Sequence, residues 1–270
     1  MKNEIKIESS LPNEKLTEFV REYFYLQIES DDEQTVVAID DGCYDFMFYR
    51  EKYANLEFEH TNSIKIKSKA FTVHQLNPPL KYIFGNCVSY FSVKVQPWFN
   101  SFFFPTHYKK GILTLETIYG NDIKKIQSAI FKSITFQEKI EIAEEFLFEI
   151  KPEYNSNSNL AKQICLEIYD KDGMITVNEL CAKFEFDRQL LNKIFKKQVN
   201  YTIKQFIIIE RILSLAKFRI NNPQNSLTEV ALKYGYFDQA HFNYDFKRIS
   251  GVTPTEFFKN LPPFFYRHKN

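Results

Sequence analysis

The feature that most constrains this chain is a change of sequence period on either side of residues 151–159. In that stretch apolar residues nearly vanish and Asn alternates with Ser, the composition of an exposed linker. Before it lie short runs rich in β-branched and aromatic residues: 35–39, 43–49, 56–58, 64–66, 71–73, 82–84 and 88–95. Turn-forming residues punctuate them at Asp40-Asp41-Gly42, Asn77-Pro78-Pro79 and Gly85-Asn86. After it, apolar residues recur at helical spacing. The expectation is a two-domain α+β chain. Residues 1–155 form a β-sandwich or small barrel that ends in two helices, 123–132 and 136–150. Residues 160–262 form an all-α domain of about seven helices.

The composition supports folding. With 44% hydrophobic and 17% aromatic residues the chain is not disordered as a whole. No run of about 20 uncharged apolar residues occurs, and Met1-Lys2-Asn3-Glu4 lacks the pattern of an export signal. No membrane partner is expected, and the expected location is the cytoplasm. Cys43, Cys87, Cys165 and Cys181 form no C-x-x-C pair, and His60, His74, His107, His241 and His268 are dispersed. No metal, disulfide or other cofactor is therefore expected. A cupin-like enzyme would need His-x-His plus a carboxylate, so an enzyme is not expected; a pure protein-interaction role for the first half stays open.

In the helical half, the order of short helix, tight turn and second helix occurs twice, at 176–199 and 226–249. Thr176 and Asp187 are placed to cap the first pair, and Ser226 caps the first helix of the second. Such a pair buries apolar residues between its helices so that the second can lie in the roughly 12 Å major groove of DNA. Leu180, Phe184, Leu191 and Phe195 serve this in the first unit, and Val230, Ala231, Phe242 and Phe246 in the second. Ala231 is small where the helices touch, and Gly235 suits a left-handed turn. Helix geometry places Gln189, Asn192, Lys193 and Lys196 on the face away from Leu191 and Phe195, next to Arg188. Gln239, Ala240, Asn243, Tyr244 and Lys247 form the corresponding face of the second unit. Gln and Asn suit adenine, and Lys suits guanine or phosphate. His241 fits packing of the turn and contact with a phosphate equally. The 18 residues from 203 to 220 would span about 27 Å, enough to set the two helices near one DNA turn apart, over roughly 15 to 20 base pairs.

The run Leu227 to Phe242, with its Ala231-x-x-x-Gly235-Tyr236 and Asp238-Gln239-Ala240-His241-Phe242, continues through Phe246-Lys247-Arg248 to Gly251-x-x-Pro254. It strongly resembles the signature of the AraC/XylS transcription regulators, and the resemblance extends over about residues 160–259. The first unit keeps Phe195-Lys196-Lys197 but has Cys181 where Ala is usual, Glu185 and Asn200 where Gly is common, and Ile203 where Pro is usual. Tyr244 stands where Arg is common. The resemblance implies promoter DNA as the partner, with RNA polymerase recruited or obstructed, and makes Ala231, Gly235, Gly251 and Pro254 turn residues.

In the first half, 39–48 and 91–98 look like an uncharacterised β-rich domain found ahead of this module in some family members. By resemblance it would act through a ligand or as a homodimer. Phe46, Phe48, Tyr82, Phe84, Phe91, Trp98, Phe99 and Phe102 fit either a core or the lining of a cavity for a small apolar effector. Asp40 and Asp41 read as a turn before Gly42 rather than a carboxylate pair. The formal charge of +1 conceals a segregation: residues 173–270 carry 15 basic against 8 acidic side chains, and residues 1–172 carry 20 against 26. The basic end suits a phosphate backbone.

Overall fold

The computed structural model describes residues 4–31, 34–50, 54–58, 64–74, 80–84, 87–105, 111–152, 154–262 and 265. The expected turns at 77–79 and 85–86, and His60, His107 and His268, lie outside the described residues. The strands are β1 (Glu4–Ser10), β2 (Val20–Glu29), β3 (Gln34–Ala38), β4 (Asp45–Tyr49), β5 (Ala54–Phe58), β6 (Ile64–Ile66), β7 (Ala70–His74), β8 (Leu80–Phe84) and β9 (Cys87–Val95). A 3-10 turn at Pro97–Phe99 leads into α1 (Asn100–Phe103), followed by β10 (Gly111–Thr114), α2 (Leu115–Tyr119), α3 (Asp122–Lys132) and α4 (Phe136–Ile150).

The strands form two sheets, one in the order β1-β2-β9-β4-β7-β10 and the other β3-β8-β5-β6. The long antiparallel pairing of β2 with β9 runs from Val20 opposite Val95 to Glu29 opposite Cys87, with β1 on the far side of β2 and β4 on the far side of β9. Neither β1 nor β2 was expected. Of the aromatic set, Phe46, Phe48, Tyr82, Phe91, Trp98 and Phe99 are buried, whereas Phe102 is half exposed. Phe46 meets the rings of Phe103, Phe104, Tyr119 and Phe146 at centroid distances of 4.7 to 5.7 Å, so it is core rather than cavity wall.

The helical half comprises α5 (Ser156–Asp170), α6 (Val177–Phe184), α7 (Arg188–Val199), α8 (Ile203–Asn221), α9 (Leu227–Lys233), α10 (Gln239–Ser250) and α11 (Pro254–Lys259). The expected linker is shorter than its composition suggested. Asn155 caps α5 through the backbone N–H groups of Asn157 and Ser158, so the Asn/Ser alternation is a helix start. Side chains cap every helix from α5 to α11, namely Asn155, Thr176, Asp187, Thr202, Ser226, Asp238 and Thr253. Chain contacts divide the molecule into two compact units, and the helical one also takes in Val37–Gly42.

Candidate nucleic-acid interface

The two helix-turn-helix units close in the same way. α6 packs on α7, and α9 packs on α10. At the end of α6 the Phe186 N–H donates to the Cys181 carbonyl at 3.2 Å, and at the end of α9 the Tyr236 N–H donates to the Ala231 carbonyl at 3.0 Å. This six-residue closure needs a left-handed residue in front of the donor. Gly235 supplies it at φ +75° in the second unit, and Glu185 does so at φ +59° in the first. The ends of α7 and α10 repeat the pairing with Asn200 at φ +68° and Gly251 at φ +77°. Pro254 occupies the first turn of α11, capped by Thr253.

Apolar residues hold these turns. Leu180, Leu191 and Phe195 are fully buried in the first unit, and Val230, Ala231, Phe242 and Phe246 are buried in the second. Phe184 is only half-buried. α8 joins the units with Ile203, Phe206, Ile209, Ile212, Leu215 and Ala216 buried, and Ile208 and Phe218 half-buried. Its 19 residues span about 28 Å. α5 reaches α8 through Gly173, where the Arg211 Nε donates to the Gly173 carbonyl at 2.8 Å.

On the outer face, Arg188, Gln189, Lys193 and Lys196 of α7 are exposed. Asn192 is half-buried, and its side-chain oxygen accepts one hydrogen bond, from the Ile203 N–H at 3.0 Å. On α10, Gln239, Ala240, His241, Asn243, Tyr244 and Lys247 are exposed. The Gln239 side-chain oxygen accepts from the Thr228 hydroxyl at 2.9 Å, leaving its amide donors outward. The His241 ring packs edge-on against Tyr236 with centroids 5.1 Å apart, and its Nε2 lies 3.8 Å from the buried Asp245 carboxylate. Asp245 also accepts from Arg248 at 2.8 Å, and the Arg248 guanidinium lies 5.9 Å from the centre of the Tyr244 ring. Burial pushes the Tyr236 hydroxyl well above the ordinary tyrosine range and the Tyr234 hydroxyl up to about 12.

Two outward residues escaped the sequence reading. Phe237, 88% exposed, precedes the Asp238 cap, and Leu190, 43% exposed, lies in the first turn of α7. No periodicity marks either, because each breaks the rule that large apolar residues face the core.

A family of helix-turn-helix domains matches residues 180–260. The Msm operon regulatory protein of Streptococcus mutans is 30% identical over 124 residues, 44% of this chain and 44% of that protein. The raffinose operon transcriptional regulatory protein RafR of Pediococcus pentosaceus is 31% identical over 112 residues, 42% of this chain and 39% of that protein. The aligned region thus spans less than half the length of either curated relative. An apo ToxT variant from Vibrio cholerae has a fold similar to this one, with a TM-score of 0.50 at 14% identity over 88% of this chain and 97% of that one.

Proposed function

From a C-terminal domain of the AraC/XylS helix-turn-helix type, we propose that this chain is a sequence-specific transcription regulator whose α7 and α10 enter successive major grooves of promoter DNA. The observation that carries this reading is the paired outward face. Two helices with the same caps and closures each bury their phenylalanines and present amides and ammonium groups outward. Gln189, Lys193, Gln239, Asn243 and Lys247 are assigned to base edges, Ala240 to a thymine methyl, and Arg188 and Lys196 to phosphates. Asn192 positions α7. His241 packs the turn, and Tyr244 together with Arg248 offers a flat cationic surface to the backbone.

In this reading the first half controls the second through a small ligand or self-association, and RNA polymerase is the downstream partner. The chain acts in the cytoplasm and catalyses no reaction. The relatives, named as operon regulators, support the regulatory role. Footprinting the full chain on its own upstream region across a salt series tests the DNA reading. Two protected major grooves one turn apart are expected, with affinity falling steeply as salt rises. Protection of a single groove, or salt-insensitive binding, would refute it. Asn243→Ala is expected to weaken specific binding without unfolding the domain.

A further inference from the structure

The β-rich unit contains a cleft of about 350 Å³ between the first strands and the turn that joins α3 to α4. Four cations line it, Lys6, Arg50, Lys132 and Lys139, against one carboxylate, Glu8. That carboxylate is already engaged by Lys6 at 2.9 Å. Lys139 is 3% exposed, and its ammonium donates to the Ile130 carbonyl at 3.0 Å, the Ser133 carbonyl at 2.8 Å and the Ser133 hydroxyl at 3.1 Å. It thereby caps the end of α3 and is fixed in place.

All three acceptors are neutral. Among the described residues no carboxylate pairs with the Lys139 ammonium, although a buried charge ordinarily has a partner. Burial and the Arg50 guanidinium together hold its pKa below the usual lysine range, while Glu138 and Glu8 act the other way and Lys6 adds to the repulsion. Aromatic faces offset part of this cost. The Tyr25 ring centre lies 5.9 Å from the Lys6 ammonium and 5.7 Å from that of Lys139, and the Phe131 ring centre lies 5.6 Å from the Arg50 guanidinium. The cleft therefore has excess positive charge and flat apolar walls that include Phe136.

We propose that this cleft binds a small organic anion, a carboxylate or phosphate ester carrying a flat apolar body. The anion sits between Arg50, Lys132 and the floor made by Lys139, and its body lies on Phe131 and Phe136. This replaces the apolar effector expected from the aromatic content with an anionic one. Its regulatory consequence rests on the reading that the first half controls DNA binding, but its chemistry does not.

Calorimetric titration of the full chain at low ionic strength with benzoate, phenyl phosphate and neutral benzyl alcohol tests it. Both anions are expected to bind at least about tenfold more tightly than the alcohol, and their ranking identifies the preferred head group. Arg50→Gln and Lys132→Gln, both at exposed positions, are each expected to weaken the anions about tenfold. Lys125→Gln, on α3 but outside the cleft, should change nothing. Failure of both anions to bind at millimolar concentration, equal binding of the alcohol, or anion binding indifferent to Arg50→Gln and Lys132→Gln would overturn the proposal. Footprinting without any ligand reports on the DNA reading separately, so the two can fail independently.

Discussion

The side-chain oxygen of Asn192 accepts a hydrogen bond from the backbone N–H of Ile203 at 3.0 Å, tying the outer face of α7 to the first turn of α8. That N–H has no partner within its own helix. Asn192→Ala is expected to lower stability by about 1 kcal/mol and to weaken binding to specific and scrambled DNA alike, because α7 loses its fixed angle. Lys193→Ala should instead weaken the specific site more. Urea unfolding together with fluorescence anisotropy on both DNAs separates the two. Relaxed sequence preference in Asn192→Ala would return that residue to base reading.

Gly173 and Gly235 share a left-handed backbone, at φ +70° and +75°, but not their surroundings. A Cβ on Gly173 would sit 2.5 Å from the Arg211 backbone nitrogen and 2.6 Å from the Ile207 carbonyl oxygen, whereas one on Gly235 meets nothing within 4 Å. Gly235→Ala is therefore expected to cost only the left-handed strain, about 1–2 kcal/mol. Gly173→Ala adds a clash with the α8 backbone and should cost about 3 kcal/mol or more. Equal melting temperatures for the two variants would contradict this packing.

Glu185 occupies in the first unit the left-handed position that Gly235 holds in the second, at φ +59°. Its side chain is exposed, so removing it forfeits little packing. Glu185→Gly is expected to raise stability by about 1 kcal/mol, seen as a higher midpoint in urea. An unchanged or lower midpoint would mean that the conformation carries no strain.

Within the helical unit the Tyr201 hydroxyl reaches both oxygens of the buried Asp40 carboxylate, at 2.9 and 2.8 Å. The Gly42 N–H donates to the same carboxylate at 2.9 Å, the turn expected of Asp40 and Gly42. Tyr201→Phe removes a donor from a buried carboxyl group and is expected to destabilise the chain by about 1–3 kcal/mol. Differential scanning calorimetry of the full chain measures it. A loss within error would show that the remaining partners of Asp40 suffice.

Helices α6 to α11 were legible because their signals are local. Thr176 with Glu179 and Ser226 with Glu229 are capping boxes visible as residue pairs three apart, and Leu191 and Phe195 repeat one turn apart. β2 was not legible. It carries Arg21, Glu22 and Glu29 yet buries Tyr23, Phe24, Tyr25 and Leu26 in succession, so it shows no alternation. The start of α5 is hidden in the sequence because an Asn cap and a linker share one composition. In the candidate interface the outward face followed from helix geometry, but the engagement of Asn192 by Ile203 depends on a second helix, and Asp40 with Tyr201 joins residues 161 positions apart. The cationic cleft gathers Lys6, Arg50 and Lys139 from distant segments, and no spacing rule brings them together.

Glu138, Glu179 and Glu229 each close a capping box, with Thr135, Thr176 and Ser226. Hydrogen bonds hold all three carboxylates below the ordinary range: chiefly from the Thr135 backbone N–H for Glu138, from the Thr176 hydroxyl and then its N–H for Glu179, and from the Ser226 N–H for Glu229. The unfolded chain, with these groups near 4.5, binds protons more readily than the folded one. Their contribution is therefore present above that pH and is lost as pH falls through the depressed folded values. The melting temperature is expected to drop as pH is lowered below about 4.5. In Glu179→Gln/Glu229→Gln, whose amides still accept from the cap residue but do not titrate in this range, the drop should be shallower, with the two curves converging at the acid end. Parallel curves for the double variant and the parent would place the acid sensitivity in other groups.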